Sequence, residues 1–316
     1  MAIGDRSRAR SCVSLLLAAW ASWAAACATG PPPPVETGQL FFWEVARGDG
    51  QGGVAHLLGS VHMAEDALAF DPAVDRAFAD ADTLVLEIDP AELEPAEMAG
   101  LTLDKGLFSD GRTLDQVLDP ASWAALEERA AELGLPVVLL RPMEPWYALL
   151  TLQLMALQRD GFDPGQGVET SLARVAEESG KPTLGLETAE SQLAVFDVLP
   201  EGLQERMLRE FLLQEEDAGG SENVSLLIDA WRKGDTARLE TEVFGELGRD
   251  PSFEPYFELF YFERNRNMAR GIAELVDGGG SWFVAVGAAH VVGAQGIPSL
   301  LAERGYAVRR VPKTQP

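Results

Sequence analysis

Cysteine is almost absent from this chain: Cys12 and Cys27 are the only two, and both lie at the N-terminal end. The rest of the sequence therefore carries no disulfide, no thiol nucleophile and no thiolate metal site. Histidine is scarce too, limited to His56, His62 and His290. Positive charge is in deficit, with 25 Lys and Arg against 50 Asp and Glu and a net charge of −25. A surface of that sign repels phosphate backbones, which argues against nucleic acid as a partner. The apolar stretch from Val13 to Ala26 falls short of the roughly 20 residues a spanning helix needs. What the chain does have is 47% hydrophobic content over 316 residues, enough to bury one sizeable core.

The N-terminus has the layout of an export signal: basic Arg6, Arg8 and Arg10, the apolar stretch, then small residues before Cys27. Ala24-Ala25-Ala26-Cys27 resembles a bacterial lipoprotein processing site, with Ala24 where Leu is usual. The resemblance implies lipidation of Cys27 and a membrane anchor on the periplasmic or surface side of the cell envelope. Residues 28–39, with the run Pro31-Pro32-Pro33-Pro34, read as an extended linker. The folded domain is expected over residues 40–312.

Within that domain the pattern predicts two short strands, Leu40–Val45 and Val54–Leu58, joined by a Gly-rich turn into a hairpin. A helix over 71–81 follows, and then a strand, Thr83–Ile88, apolar enough to be buried on both faces. Pro136–Leu140 and Lys181–Leu186 read as further buried strands, ending in Arg141 and Glu187. Helices are expected over 123–133, 146–158 and 171–179, a helical insertion over 189–244, and a long helix over 254–276. The last unit is a strand, Trp282–Val286, a helix over 297–304 and a final strand, Tyr306–Val311. Strands alternating with helices give an α/β class, a central sheet flanked by helices.

Polar residues just beyond buried strands are informative, because ligands of open α/β sheets bind at the carboxyl ends of the strands. His62, Glu87, Arg141, Glu187 and His290 all fall at such positions. Gly59-Ser60-Val61-His62 and Gly287-Ala288-Ala289-His290 repeat one motif, in which a glycine three residues before the histidine lets the backbone turn and come close to a ligand. Two histidines with one or two carboxylates make a divalent-metal set, and equally a metal-free acid–base set. His56, inside a strand, reads as a half-exposed strand position. Arg264 and Asn267 share a helix face by i, i+3 spacing, which makes Arg264 a catalytic candidate and Asn267, with Arg141, a substrate-binding one.

The residues Leu57 to His62, the strand with Glu87, Gly185-Leu186-Glu187-Thr188 with Gln192, Glu263-Arg264-Asn265, Val286 to His290 with Gly293, and Gly305-Tyr306 together resemble the TraB/GumN family. That family includes the Tiki proteases and is distantly similar to erythromycin esterases and the haem-binding ChaN proteins. The likeness covers residues 40–311. It implies a Tiki-like fold and a centre made of His62, Glu87 and His290, with Arg264 on the family's arginine. Gly167-Val168-Glu169 departs from it, since Asp is expected where Glu169 stands. The implied activity is metal-dependent hydrolysis of peptides: His62, His290 and Glu87 or Glu187 hold Mn²⁺, Co²⁺ or Zn²⁺, another carboxylate takes a proton from water, and Arg264 steadies the oxyanion. Two alternatives stay open on the residues, a metal-free esterase-like hydrolase and a lipoprotein that binds haem, metal or peptide without turnover. In either hydrolytic reading the partner is a peptide or small-molecule substrate.

Overall fold

The structure is a computed structural model that describes residues 34–92, 95–213, 220–245, 247 and 249–314. The expected export signal and Cys27 lie outside the described residues. Among those described, no helix is long and apolar enough to cross a membrane.

Six strands form one sheet: β1 (Gln39–Arg47), β2 (Val54–Ser60), β3 (Thr83–Ile88), β4 (Thr183–Glu187), β5 (Ser281–Gly287) and β6 (Tyr306–Pro312). Their order is β4-β3-β5-β2-β1-β6. Only β1 runs against the others: it pairs antiparallel with β2 and β6, while β2–β5, β3–β5 and β3–β4 are parallel. The architecture is mixed α/β, as the alternating pattern implies.

The central strands are apolar on both sides because both faces of the sheet are covered. On one face Phe42, Leu58, Leu84, Leu86, Phe283 and Ala285 pack with the helices Pro72–Asp80 and Val168–Ser179. On the other, Trp43, Leu57, Val85, Val284 and Val286 join a larger core with Trp146, Phe196, Tyr256 and Phe260. The period-2 alternation fixes direction: Glu87, two residues after Val85, projects to this second face.

That face is covered by helices Ala189–Asp197, Glu201–Leu212, Gly220–Lys233 and Thr236–Phe244, the expected helical insertion, and by the long C-terminal helix. The long helix is continuous but not uniform. Between Glu254–Phe257 and Glu263–Gly278 it makes one turn of π-helix, Glu258–Phe262. Such turns insert a residue and re-aim the side chains beyond them. Here the turn directly precedes Arg264.

Two expectations are corrected. Pro136–Leu140 is not a strand but a tight turn of 3₁₀-helix, Val137–Leu139, closed by Leu139 N–H to Pro136 O and Leu140 N–H to Val137 O. A five-residue apolar run has no period to distinguish strand from turn. Here Val138 and Leu139 are 65% and 53% exposed and only Leu140 is buried. The linker, expected to reach residue 39, is already docked at Val35, whose N–H donates to Asp235; Thr37 bonds Lys233 and Gly234, and β1 begins at Gln39. Lys181–Leu186 does hold a strand, β4, but at the sheet edge with Leu184 partly exposed.

The turn reading predicts opposite outcomes at neighbouring apolar positions. Val138→Ser is expected to change unfolding stability by less than about 0.5 kcal/mol, whereas Leu140→Ala costs about 2–5 kcal/mol. Chemical denaturation of the two variants measures both.

Candidate active site

The two Gly-x-x-His motifs meet because β2 and β5 are neighbours in register. Gly59 lies opposite Val286 and Ser60 opposite Gly287. From there the chain runs on to His62 after β2, and through one 3₁₀ turn, Ala288–Val291, to His290 after β5. Neither glycine needs a left-handed backbone; both are required by close approach. A Cβ on Gly59 would lie 2.6 Å from Val291 Cγ2. One on Gly287 would lie 3.1 Å from His62 Nε2, 3.4 Å from Glu87 Oε1 and 3.5 Å from His290 Cδ2. The missing side chain of Gly287 thus marks the point on which the three groups converge.

Glu87 is almost buried, and every side of it is engaged. Oε1 accepts from Gly287 N–H at 2.7 Å, and Oε2 accepts from Arg264 Nη2 at 2.7 Å and from Gln192 Nε2 at 3.0 Å. Burial works against its charge, but Arg264 and then the two histidines outweigh burial and hold the carboxyl down at about 2. It is a permanent anion with Oε1 facing His290 Nε2 at 3.8 Å.

Arg264 is 5% exposed and clamps two carboxylates at once. Nη2 reaches both Glu87 and Glu187 at 2.7 Å, Nε reaches the two Glu187 oxygens at 3.0 and 3.1 Å, and Nη1 donates to Phe260 O at 3.2 Å. A guanidinium committed in this way neutralises and positions the two carboxylates and acts as a clamp between them. Glu187 is likewise held, by Arg264 and by Gln192 Nε2 at 3.0 Å. Its side chain stands behind the centre.

Each imidazole is held through Nδ1. His62 Nδ1 lies 3.1 Å from Glu169 Oε1, and the Ser60 hydroxyl donates to that same oxygen. Burial disfavours a charged His62, yet Glu169, by charge and hydrogen bond, and Glu87 beyond it push the ring up to about 9. Glu169 arrives there because the helix Val168–Ser179 starts against the His62 loop: Val168 N–H donates to Val61 O, and a Cβ on Gly167 would lie 2.3 Å from His62 O. Oε2 of Glu169 is buried and has no hydrogen-bond partner. His290 is 1% exposed; burial first, and Arg264 beside it, push its pKa down to about 3, so the ring is neutral. Its Nδ1 contacts Asn265 Oδ1, and Tyr261 packs against its ring at 5.5 Å. Donor atoms of His62, Glu87 and Glu169 all lie within 4.8 Å of one another, a spacing that could hold a metal ion.

The structure therefore gathers His62, Glu87, Glu187, His290 and Arg264 into one cluster. It does not bring Arg141 or Asn267 there. Arg141, with no strand before it, pairs with Asp115 at 3.3 Å and covers the Trp123 ring. Asn267 is exposed, because the buried stripe of its helix runs through Arg264, Asn265, Met268 and Ile272. His56 stacks on Phe42 within the sheet. Three site residues had no assigned role in the sequence reading. Glu169 stood out only as a departure from the family pattern, Gln192 follows Glu187 at a spacing that a helix start makes productive, and Asn265 adjoins Arg264 on the buried stripe.

The TraB/PrgY/gumN family model matches residues 41–310, a span that includes every residue of this cluster. The chain belongs to the TraB/PrgY/gumN family. Among curated relatives, it is 26% identical to the uncharacterized protein YbaP of Escherichia coli (strain K12) over 147 residues, 46% of this chain and 53% of YbaP, and 26% identical to YbaP of Shigella flexneri over 148 residues, with the same coverage. The alignment thus spans about half the length of these relatives. No solved structure matches. Within this member of the TraB/PrgY/gumN family, the histidine motifs and Glu87 sit on the sheet, and the arginine comes from the long helix.

The clamp makes a measurable claim about charge. Arg264→Met leaves Glu87 and Glu187 buried without their cation and is expected to cost about 3–5 kcal/mol at neutral pH. The Glu87 contribution in the wild type is full above the ordinary carboxylate value of 4.5 and is lost as pH falls through about 2. In the variant Glu87, without its cation, takes up its proton at higher pH, so the deficit narrows on going from pH 7 to pH 4.5. Adding Glu187→Gln to Arg264→Met restores part of the loss, as read by denaturant unfolding of both proteins.

Proposed function

We propose that this chain is a metal-dependent hydrolase acting on peptides, tethered at the cell envelope through Cys27. The observation that carries the reading is the convergence of His62 Nε2, Glu87 Oε1 and His290 on the space above Gly287. Three features of the site fit a divalent cation. The donor set is imidazole and carboxylate with no sulfur, the chemistry suited to Mn²⁺, Co²⁺ or Zn²⁺. The space a Cβ would fill is left open. Glu169, whose carboxylate lies within 4.8 Å of donor atoms of His62 and Glu87, has Oε2 buried and without a partner, a state that costs free energy unless some ligand completes it.

His62, Glu87 and His290 would hold the cation, which supplies Lewis acidity that polarises a carbonyl and makes water more acidic. The residues do the rest. Glu169 and Asn265 keep both rings turned with Nε2 inward, the ordering that partners of ligating histidines provide. Arg264 and Gln192 occupy Glu87 Oε2 and leave Oε1 as the inward oxygen. Glu169, with one oxygen unpartnered, is the carboxylate placed to accept the proton of an attacking water. Glu187, which the sequence offers as a ligand, is the carboxylate that keeps Arg264 in place.

The assay is digestion of a diverse peptide library by the purified chain with Mn²⁺, Co²⁺ or Zn²⁺, read by mass spectrometry. Expected is cleavage that a chelator stops and that falls at least about 100-fold in Glu169→Gln and in His62→Ala. No cleavage of any peptide, or cleavage unaffected by His62→Ala, contradicts the proposal; cleavage that resists the chelator moves it to metal-free hydrolysis.

A further inference from the structure

Asn265 orients the His290 ring, and its surroundings also decide where that ring carries its hydrogen. The side chain is 1% exposed and spans two partners. Nδ2 donates to the backbone carbonyl of Gln295 at 2.8 Å, and Oδ1 lies 2.5 Å from His290 Nδ1. The orientation of the amide is not a free choice. Turned over, it would set its oxygen against the Gln295 carbonyl, two acceptors face to face, and would lose the hydrogen bond that Nδ2 now makes there. Gln295 sits in the short turn between Gly293, at φ +77, and Gly296, whose added Cβ would lie 2.5 Å from Val292 O. The carbonyl is therefore presented by a backbone with little room to move.

With Oδ1 fixed as an acceptor, the hydrogen of this contact belongs on His290 Nδ1. We infer that Asn265 is the positioning residue that sets the tautomer of His290, relaying the fixed Gln295 carbonyl into an Nε2 lone pair directed at the centre. The opposite tautomer would aim the Nε2 hydrogen towards Glu87 Oε1, 3.8 Å away, and leave no Nε2 lone pair to offer at the centre. The inference rests on reading His290 as a member of the working site. It adds that the two histidines are held by different devices: a carboxylate behind His62, and an amide without charge behind His290. An amide fixes direction without drawing a second proton onto the ring.

The test is NMR correlation of imidazole nitrogens with ring protons in the purified, isotope-labelled chain without added metal. Three histidines keep the spectrum readable, and His290→Gln assigns its signals by their loss. In the wild type, His290 is expected as a neutral ring with its hydrogen on Nδ1, and in Asn265→Leu the hydrogen moves wholly or partly to Nε2. A wild-type ring carrying the hydrogen on Nε2 overturns the inference. So does an Asn265→Leu protein that keeps Nδ1–H. Titration with Zn²⁺ alone then separates this inference from the proposed function. A loss of about 10–100-fold in affinity in Asn265→Leu supports both, whereas the expected tautomer without Zn²⁺ affinity in any protein upholds the positioning role and counts against the metal.

Discussion

A guanidinium buried between two carboxylates organises this molecule. Arg264 comes from the long C-terminal helix, Glu87 from the middle of the sheet and Glu187 from its edge, and the three meet in one hydrogen-bonded cluster. Burying any one of these charges alone is prohibitive, and burying them together is tolerable only with good geometry and further hydrogen bonds. Gln192 and Gly287 N–H supply those bonds. The cluster thereby holds Glu87 with one oxygen turned inward, and sets Arg264, the second residue of the helix after the π turn, against the carboxylates at the ends of β3 and β4. The rest of the site is arranged around an anion that cannot be protonated near neutral pH.

Around that anion the two histidines are equivalent in sequence and different in environment. Their motifs are matched by strand register, so the rings approach from neighbouring strands. Behind His62 stand Glu169, partly open to solvent, and the buried Ser60; behind His290 stand Asn265 and Tyr261, both enclosed. The same Gly-x-x-His spacing thus delivers one ring that favours its proton and one that sheds it.

Much of this was legible in the chain. The buried strands announce themselves as two-sided apolar runs, and the glycine-histidine pairs stand at their ends, so His62, Glu87, Glu187 and His290 follow from pattern alone. Arg264 is only a candidate by pattern, because a charged run on a helix resembles a solvated face; the family likeness is what sets it on the family's arginine. What misled was short-range reasoning. The i, i+3 rule put Asn267 with Arg264, while the stripe actually buried includes the adjacent Asn265, a choice made by how the helix is rotated after its π turn. Arg141 inherited a site position from a strand that is a turn. Glu169 and Gln192 act across distances in sequence that no local pattern encodes; each reaches the centre because a helix begins beside it.

The most direct measurement is the metal content of the purified chain, by elemental mass spectrometry, beside His62→Ala and His290→Ala. The account predicts a near-stoichiometric divalent metal, retained or taken up from Mn²⁺, Co²⁺ or Zn²⁺, and lost in both variants while each stays folded. A wild-type chain that binds none of the three, or a metal unaffected by either substitution, would contradict it.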